Sequence, residues 1–177
     1  MQDNGQLAQS PVLLNFNRHT ILKIQQVTLM SRRKTLSDSP CPVARAVDII
    51  GDRWSLLIIR DAFDGLRRFG EFQSNLGMAK NILADRLKML TENGIIQTVP
   101  ASDGTAYQEY VLTRKGEGLF PIIVMYRQWG ECNLYKSNEN HSSLIYKHNR
   151  QPVGAIHLAT ENGAKLQKDD TTVKKIA

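Results

Sequence analysis

Apolar positions in this chain form helical stripes between residues 41 and 94, two short extended runs between 95 and 112, and a dense block from 119 to 129. Val43, Ala46, Val47 and Ile50 recur at i, i+3, i+4 and i+7 behind Pro42, which suits the first turn of a helix, and Gly51 closes the stripe. Asp52 is a good N-cap for a second helix. Its Trp54, Leu57, Ile58 and Asp61 share one side, and Leu56, Ile59 and Phe63 widen the apolar surface before Asp64-Gly65 stops it. This helix is expected to be largely buried. Phe69, Phe72 and Leu76 make a third, short stripe, and Leu83, Leu87 and Leu90 a fourth that ends at Asn93-Gly94. Only Gly77 and Met78 separate these two, a turn of the helix-turn-helix kind.

The runs Ile95, Ile96, Val99 and Tyr107, Tyr110, Val111, Leu112 are strand-forming, and the PASDGTA segment between them supplies turn chemistry at Pro100 and Asp103-Gly104. A ribbon with a polar tip behind a helix-turn-helix is a wing. A fifth helix, capped by Thr113, is expected to run to Trp129-Gly130, with a kink or delayed start at Pro121. It is apolar nearly all round, so it must be covered on more than one side. A second subunit is the favoured cover, and the chain's own residues 133–177 are the alternative. The fold class expected is therefore α+β, mostly α: a winged helix-turn-helix with dimerising N- and C-terminal helices.

Helix-turn-helix modules lay their second helix in the DNA major groove. On the fourth helix Asn81, Ala84, Asp85 and Lys88 lie opposite the leucine stripe, with Lys80 in the first turn. Asn and Lys there can reach base edges and phosphates, and Ala84 permits close approach to a thymine methyl. An ordinary solvated helix face is the competing reading of those residues.

Composition adds less. Lys and Arg total 23 against 17 acidic residues, for a net charge of +6 and a pI near 9.4, a modest attraction to polyanions that does not by itself identify nucleic acid. No apolar run approaches the ~18 residues of a membrane span, and Asn15, Asn17, Arg18, His19 and Lys23 interrupt residues 12–30, so neither a membrane partner nor a signal peptide is expected and a cytoplasmic location follows. Residues 1–38 read as a flexible N-terminal arm, with Met30 as an alternative start. Residues 39–132 read as the DNA-binding and dimerisation domain, and 133–177 as a C-terminal extension in which the alternation from Val153 to Leu158 predicts a short strand before a disordered end. His141, His148 and His157 lack close ligand spacing and read as surface or packing residues. A cysteine enzyme using Cys41 with a distant histidine has no spacing support, so no catalytic residues are assigned.

Residues 41–99, from CPVARAVDIIGDRW to ENGIIQTV, and 107–131, YQEYVLTRKGEGLFPIIVMYRQWGE, closely resemble the HxlR-type winged helix-turn-helix transcriptional regulators, relatives of the MarR group. The resemblance rests on Cys41-Pro42-Val43, the Gly51-Asp52-Arg53-Trp54 corner, Arg68-Phe69 with Glu71-Phe72, Leu83 to Leu90, Tyr110 with Leu112-Thr113, Lys115-Gly116, and Trp129. It implies a non-enzymatic regulator that needs no cofactor and binds a pseudo-palindromic double-stranded operator as a homodimer. The rival reading is a winged-helix protein-interaction module without DNA binding. The implied recognition helix covers Met78, Lys80, Asn81, Ala84, Asp85 and Lys88, with Arg68 before it and Ser102 and Thr105 in the wing. Dimer contacts are expected from Val43, Val47 and Ile50 of the first helix and from Phe120, Ile123, Val124, Tyr126 and Trp129 of the fifth. Some longer relatives carry a cysteine-bearing tail able to hold a metal, but residues 148–166 contain no cysteine, so no metal is expected. Cys41 stands at a helix N-terminus, where the dipole favours a thiolate, and the resemblance makes it a candidate redox sensor, with Cys132 as its possible oxidation partner. The alternative for Cys41 is a half-buried structural thiol. A small-molecule effector is left open.

Overall fold

The computed structural model describes residues 35–175, so the expected arm and the Met30 start lie almost wholly outside the described residues. Helix α1 (Pro42–Ile50) begins with proline in its first turn, and α2 (Arg53–Phe63) is capped by Asp52, whose carboxylate accepts from Trp54 N–H at 3.0 Å and Ser55 N–H at 3.1 Å. Helix α3 (Phe69–Leu76) ends at Gly77, and α4 (Lys80–Glu92) starts three residues later. Gly77 has φ +60, a left-handed conformation that glycine enters without a Cβ penalty, and this lets the chain reverse so tightly.

The antiparallel pair β1 (Ile96–Pro100) and β2 (Gln108–Leu112) follows, in the register Ile96 to Leu112, Thr98 to Tyr110 and Pro100 to Gln108. Pro100 is thus the last residue of a strand, and the wing tip is residues 101–107. Tyr110 N–H donates to the Arg67 carbonyl at 2.8 Å, which ties the ribbon to the chain just ahead of α3.

The expected single fifth helix is two. Thr113 caps a short α5 (Arg114–Glu117), the chain breaks at Gly118-Leu119, and α6 (Phe120–Asn133) starts afresh with Pro121 in its first turn, where no N–H is missed. Val153–Leu158 forms no strand. The described extension is held instead by isolated bridges, Ile145 with Pro152 and Ala159 with Lys165, and carries a 3-10 turn at Lys168–Asp170. With so few backbone pairings available, alternation alone could not make a ladder.

The core gathers Ile58 and Ile59 of α2, Phe72 of α3, Leu83, Leu87 and Leu90 of α4, and Ile95 and Ile96 at the root of the wing. Asp61 is buried within it. Arg60 Nε donates to it at 2.8 Å and Asn75 Nδ2 at 2.8 Å, so the charge is matched and α2 is fastened to α3. The second fastening is between Asp52 and Arg86 of α4, at 3.5 Å.

Candidate nucleic-acid interface

The leucine stripe of α4 faces inward, which turns Lys80, Asn81, Ala84, Asp85 and Lys88 to solvent on one surface. Among the described residues the side chains of Lys80, Asn81 and Asp85 have no hydrogen-bond or ion-pair partner, and Lys88 meets only Glu92, at 3.8 Å one turn on. Met78 is not part of this surface. It is 4% exposed and packs in the core, because the residue after the αL turn is carried under the two helices it joins.

The other expected DNA contacts are occupied within the chain. Arg68 pairs with Asp103 at the wing tip and stands 3.8 Å from Glu109, while Arg67 lies 3.5 Å from Glu109. Ser102 donates its hydroxyl to Glu109 at 2.9 Å, and Thr105 donates its hydroxyl to Asp103 at 2.7 Å. Glu71 accepts from the backbone N–H groups of Arg67 and Arg68, both at 2.8 Å. Together these contacts make a clasp between the start of the helix-turn-helix and the wing. The sequence reading missed Arg67, Glu71, Asp103 and Glu109 as its members. Arg68-Phe69 with Glu71-Phe72 was the visible signal, a capping pattern three residues apart, but its partners lie some 35 positions downstream.

The clasp is electrostatic in a way that pH can read. The Ser102 hydroxyl and N–H hold Glu109 below the usual carboxylate range, with Arg67 adding to the effect; Asp103 is lowered chiefly by Arg68 and then by Thr105, and Glu71 by the two backbone N–H groups. Depressed native pKa values mean that the clasp is fully formed above the ordinary carboxylate values near 4 and is lost as pH falls below them. Acid titration of the Ser102 and Thr105 amide resonances is expected to show midpoints lower than those of ordinary carboxylates. Midpoints at the ordinary carboxylate values would mean that the clasp does not form in solution.

Two apolar surfaces accompany the polar one. On α1, Val43 and Val47 are exposed while Ile50 is covered by the chain's own core. On α6, Tyr126 and Trp129 are each 60% exposed and Phe120 is 43% exposed, its ring edge-on to Phe63 at 5.1 Å. Val124 is buried and Ile123 half-buried against the core. The dimer residues expected from sequence therefore divide: Ile50 and Val124 are already covered within the subunit, and Val43, Val47, Tyr126 and Trp129 are not. The extension lies along the remaining side of α6, where Arg127 donates to the Ser142 carbonyl at 2.9 Å and Gln128 donates to the Gly154 carbonyl and accepts from Ile156 N–H, both at 2.9 Å. Cys41 is the N-cap of α1 and is exposed rather than half-buried; Arg45 turns its guanidinium to the Ser39 carbonyl. Cys132 is exposed near the end of α6. The rings of His141 and Tyr135 meet at a tilt of 49°, 4.7 Å between centres, and those of His148 and Tyr146 at 51° and 5.0 Å.

Two helices joined by an αL turn, the second exposing a polar face, and a clasped two-stranded ribbon define a winged helix-turn-helix protein. The profile of the HxlR-like helix-turn-helix family matches residues 49–138, about half of the chain, and the chain belongs to that family. The relatives it matches are named as HTH-type transcriptional regulators. The chain is 47% identical over 89 residues to an uncharacterized HTH-type transcriptional regulator of Mycobacterium tuberculosis, a match covering 50% of this chain and 56% of that protein. The chain thus spans little more than half the length of that relative. The uncharacterized HTH-type transcriptional regulator YybR of Bacillus subtilis is 31% identical over 117 residues, covering 62% of this chain and 94% of YybR. Among solved structures, PA1607, assigned as a transcription factor, superposes with a TM-score of 0.76 at 49% identity, covering 80% of this chain and 99% of that one. No helix among the described residues is long and apolar enough to cross a membrane.

Proposed function

We propose that the chain binds a pseudo-palindromic operator as a homodimer, with α4 of each subunit in the major groove and each wing against the flanking backbone. The observation that carries this reading is the unpartnered polar face of α4, with Lys80 and Asn81 at its N-terminal end, where helices of this kind meet base edges and phosphates. The exposed apolar stripes of α1 and α6 supply a surface for the second subunit. Arg68, Ser102 and Thr105 then act mainly by holding the wing in place.

A gel shift on genomic fragments across a salt series tests the reading, since phosphate-driven binding weakens steeply as salt rises. Asn81→Ala is expected to cost about 1–3 kcal/mol on the operator and to relax preference at one position, whereas Lys80→Ala should weaken all sequences alike and flatten the salt slope. Equal losses on operator and random DNA for both variants would remove Asn81 as a base reader. No salt-sensitive binding to any fragment would leave a winged-helix module that recognises protein instead.

A further inference from the structure

The extension beyond α6 follows a defined path and buries almost nothing within the subunit. Between residues 134 and 175 only Leu144, Ile145 and Leu166 are even half-buried, and every other residue is exposed. Two small hairpins give it shape. Tyr146 N–H donates to the Gln151 carbonyl at 2.8 Å and Val153 N–H to that of Leu144 at 3.0 Å; Thr160 N–H donates to Ala164 and Leu166 N–H to Leu158, both at 2.9 Å. Isolated two-stranded hairpins are marginal in water, because ordering each residue costs backbone entropy that only burial can offset. The side chains able to supply that burial are uncovered: Leu158 is 61% exposed, Tyr146 is 55% exposed, and Val153 is exposed beside them. The path therefore needs a cover that the subunit does not provide.

A second, independent observation is an open backbone edge. Gln128 of α6 holds the segment between the hairpins as a neighbouring strand would, its Nε2 donating to the Gly154 carbonyl and its Oε1 accepting from Ile156 N–H, both at 2.9 Å. An extended chain turns those two groups to one side and the groups of the intervening residues to the other. On that other side Ala155 and His157 make no backbone hydrogen bond among the described residues. An unpaired edge is a template for another chain. Gln128 also fixes where the edge lies, since it adjoins Trp129 in α6 and the segment thus borders the exposed Tyr126 and Trp129.

The helices beside this edge are small for a subunit contact. Helix α1 has 9 residues and α6 has 14, and each presents one face, so together they bring about a dozen residues against the roughly 20–30 on each side of a stable interface. We infer that the extension supplies the rest: residues 144–158 of each subunit lie across the second copy, with Tyr146, Val153 and Leu158 against it and the edge at Ala155 and His157 paired to its chain. An antiparallel edge is self-complementary about a two-fold axis, which a second copy of this chain satisfies. That placement rests on the homodimer proposed above and goes beyond it by making the extension part of the contact.

Hydrogen exchange of the full chain, with sedimentation of the same samples, tests it. In the dimer the amides of Ala155 and His157 are expected to exchange about tenfold or more slowly than in the monomer reached by dilution or by Trp129→Glu, while those of buried Leu87 and Leu90 keep their protection in both. Leu158→Glu should raise the dimer dissociation constant about tenfold or more by burying an unpaired charge, with the circular dichroism of the subunit unchanged. Ala155→Pro, which removes an N–H without a partner inside the subunit, should raise it without adding charge. Amides of Ala155 and His157 that exchange freely in a sedimenting dimer, or stay protected in the monomer, overturn the placement and leave the homodimer standing. A dissociation constant that neither variant moves does the same. A wild type that sediments as a monomer at micromolar concentration removes the homodimer, and the placement with it.

Discussion

Trp129→Glu and Tyr126→Glu are each expected to convert a dimer into folded monomers and to cut operator affinity by about a hundredfold or more, because the second half-site then ceases to bind at high effective concentration. Each side chain is 60% exposed in the subunit, so a charge there leaves the core intact, yet across a subunit contact it would have to lose its water without gaining a partner. Val124→Glu offers the contrast. Val124 is 4% exposed and packs inside the chain, so that variant should fail to fold rather than fail to associate. Sedimentation velocity, melting curves and gel shifts on the three variants separate these outcomes. A wild type that sediments as a monomer at micromolar concentration, or glutamate variants that remain dimers, would remove α6 from the association surface.

The division between Val124 and Trp129 also marks how far the sequence could be read. Stripes of apolar residues located all four helices ahead of the wing, since 3.6-residue periodicity is local and survives in one dimension. In the first half of α6, from Phe120 to Tyr126, every position is apolar, and periodicity then cannot say which side faces the core. Only the packing of Ile123 and Val124 against the rest of the domain decides that. Met78 was misplaced for a related reason: it adjoins α4 in sequence, but the left-handed turn at Gly77 carries it inward. The exposed polar face of α4 was legible because it is the complement of a leucine stripe. The clasp was not, because Arg68 and Asp103 belong to different elements and meet only when the wing folds back.

Lys115-Gly116 was visible in the sequence as a mark of resemblance with no physical reason attached, and its structural role leads to the second large effect. Gly116→Ala is expected to destabilise the domain by about 3 kcal/mol, the upper end of the usual overpacking range, because the obstacle is backbone. A Cβ at Gly116 would lie 2.2 Å from the Ile95 carbonyl oxygen and 3.1 Å from Leu112 Cδ2. That carbonyl cannot withdraw cheaply. It accepts from Thr113 N–H at 3.0 Å, while Ile95 N–H donates to Leu90 at 2.9 Å, so the residue joins the end of α4 to the root of the wing. The Thr113 hydroxyl donates to the Gly94 carbonyl at 2.6 Å, and Lys115 donates to the Asn93 carbonyl at 2.8 Å, making the same junction from the other side. A methyl group at Gly116 therefore strains the joint between α4 and the wing. Gly118→Ala is the matched control, since a Cβ there meets its nearest neighbour, the Lys115 carbonyl oxygen, at 3.3 Å and can settle with a small shift. Urea unfolding of the two variants should show a large fall in midpoint for Gly116→Ala and little change for Gly118→Ala, with similar slopes. Equal midpoints would mean that the α4–wing junction yields easily and that Gly116 is not held to glycine by space.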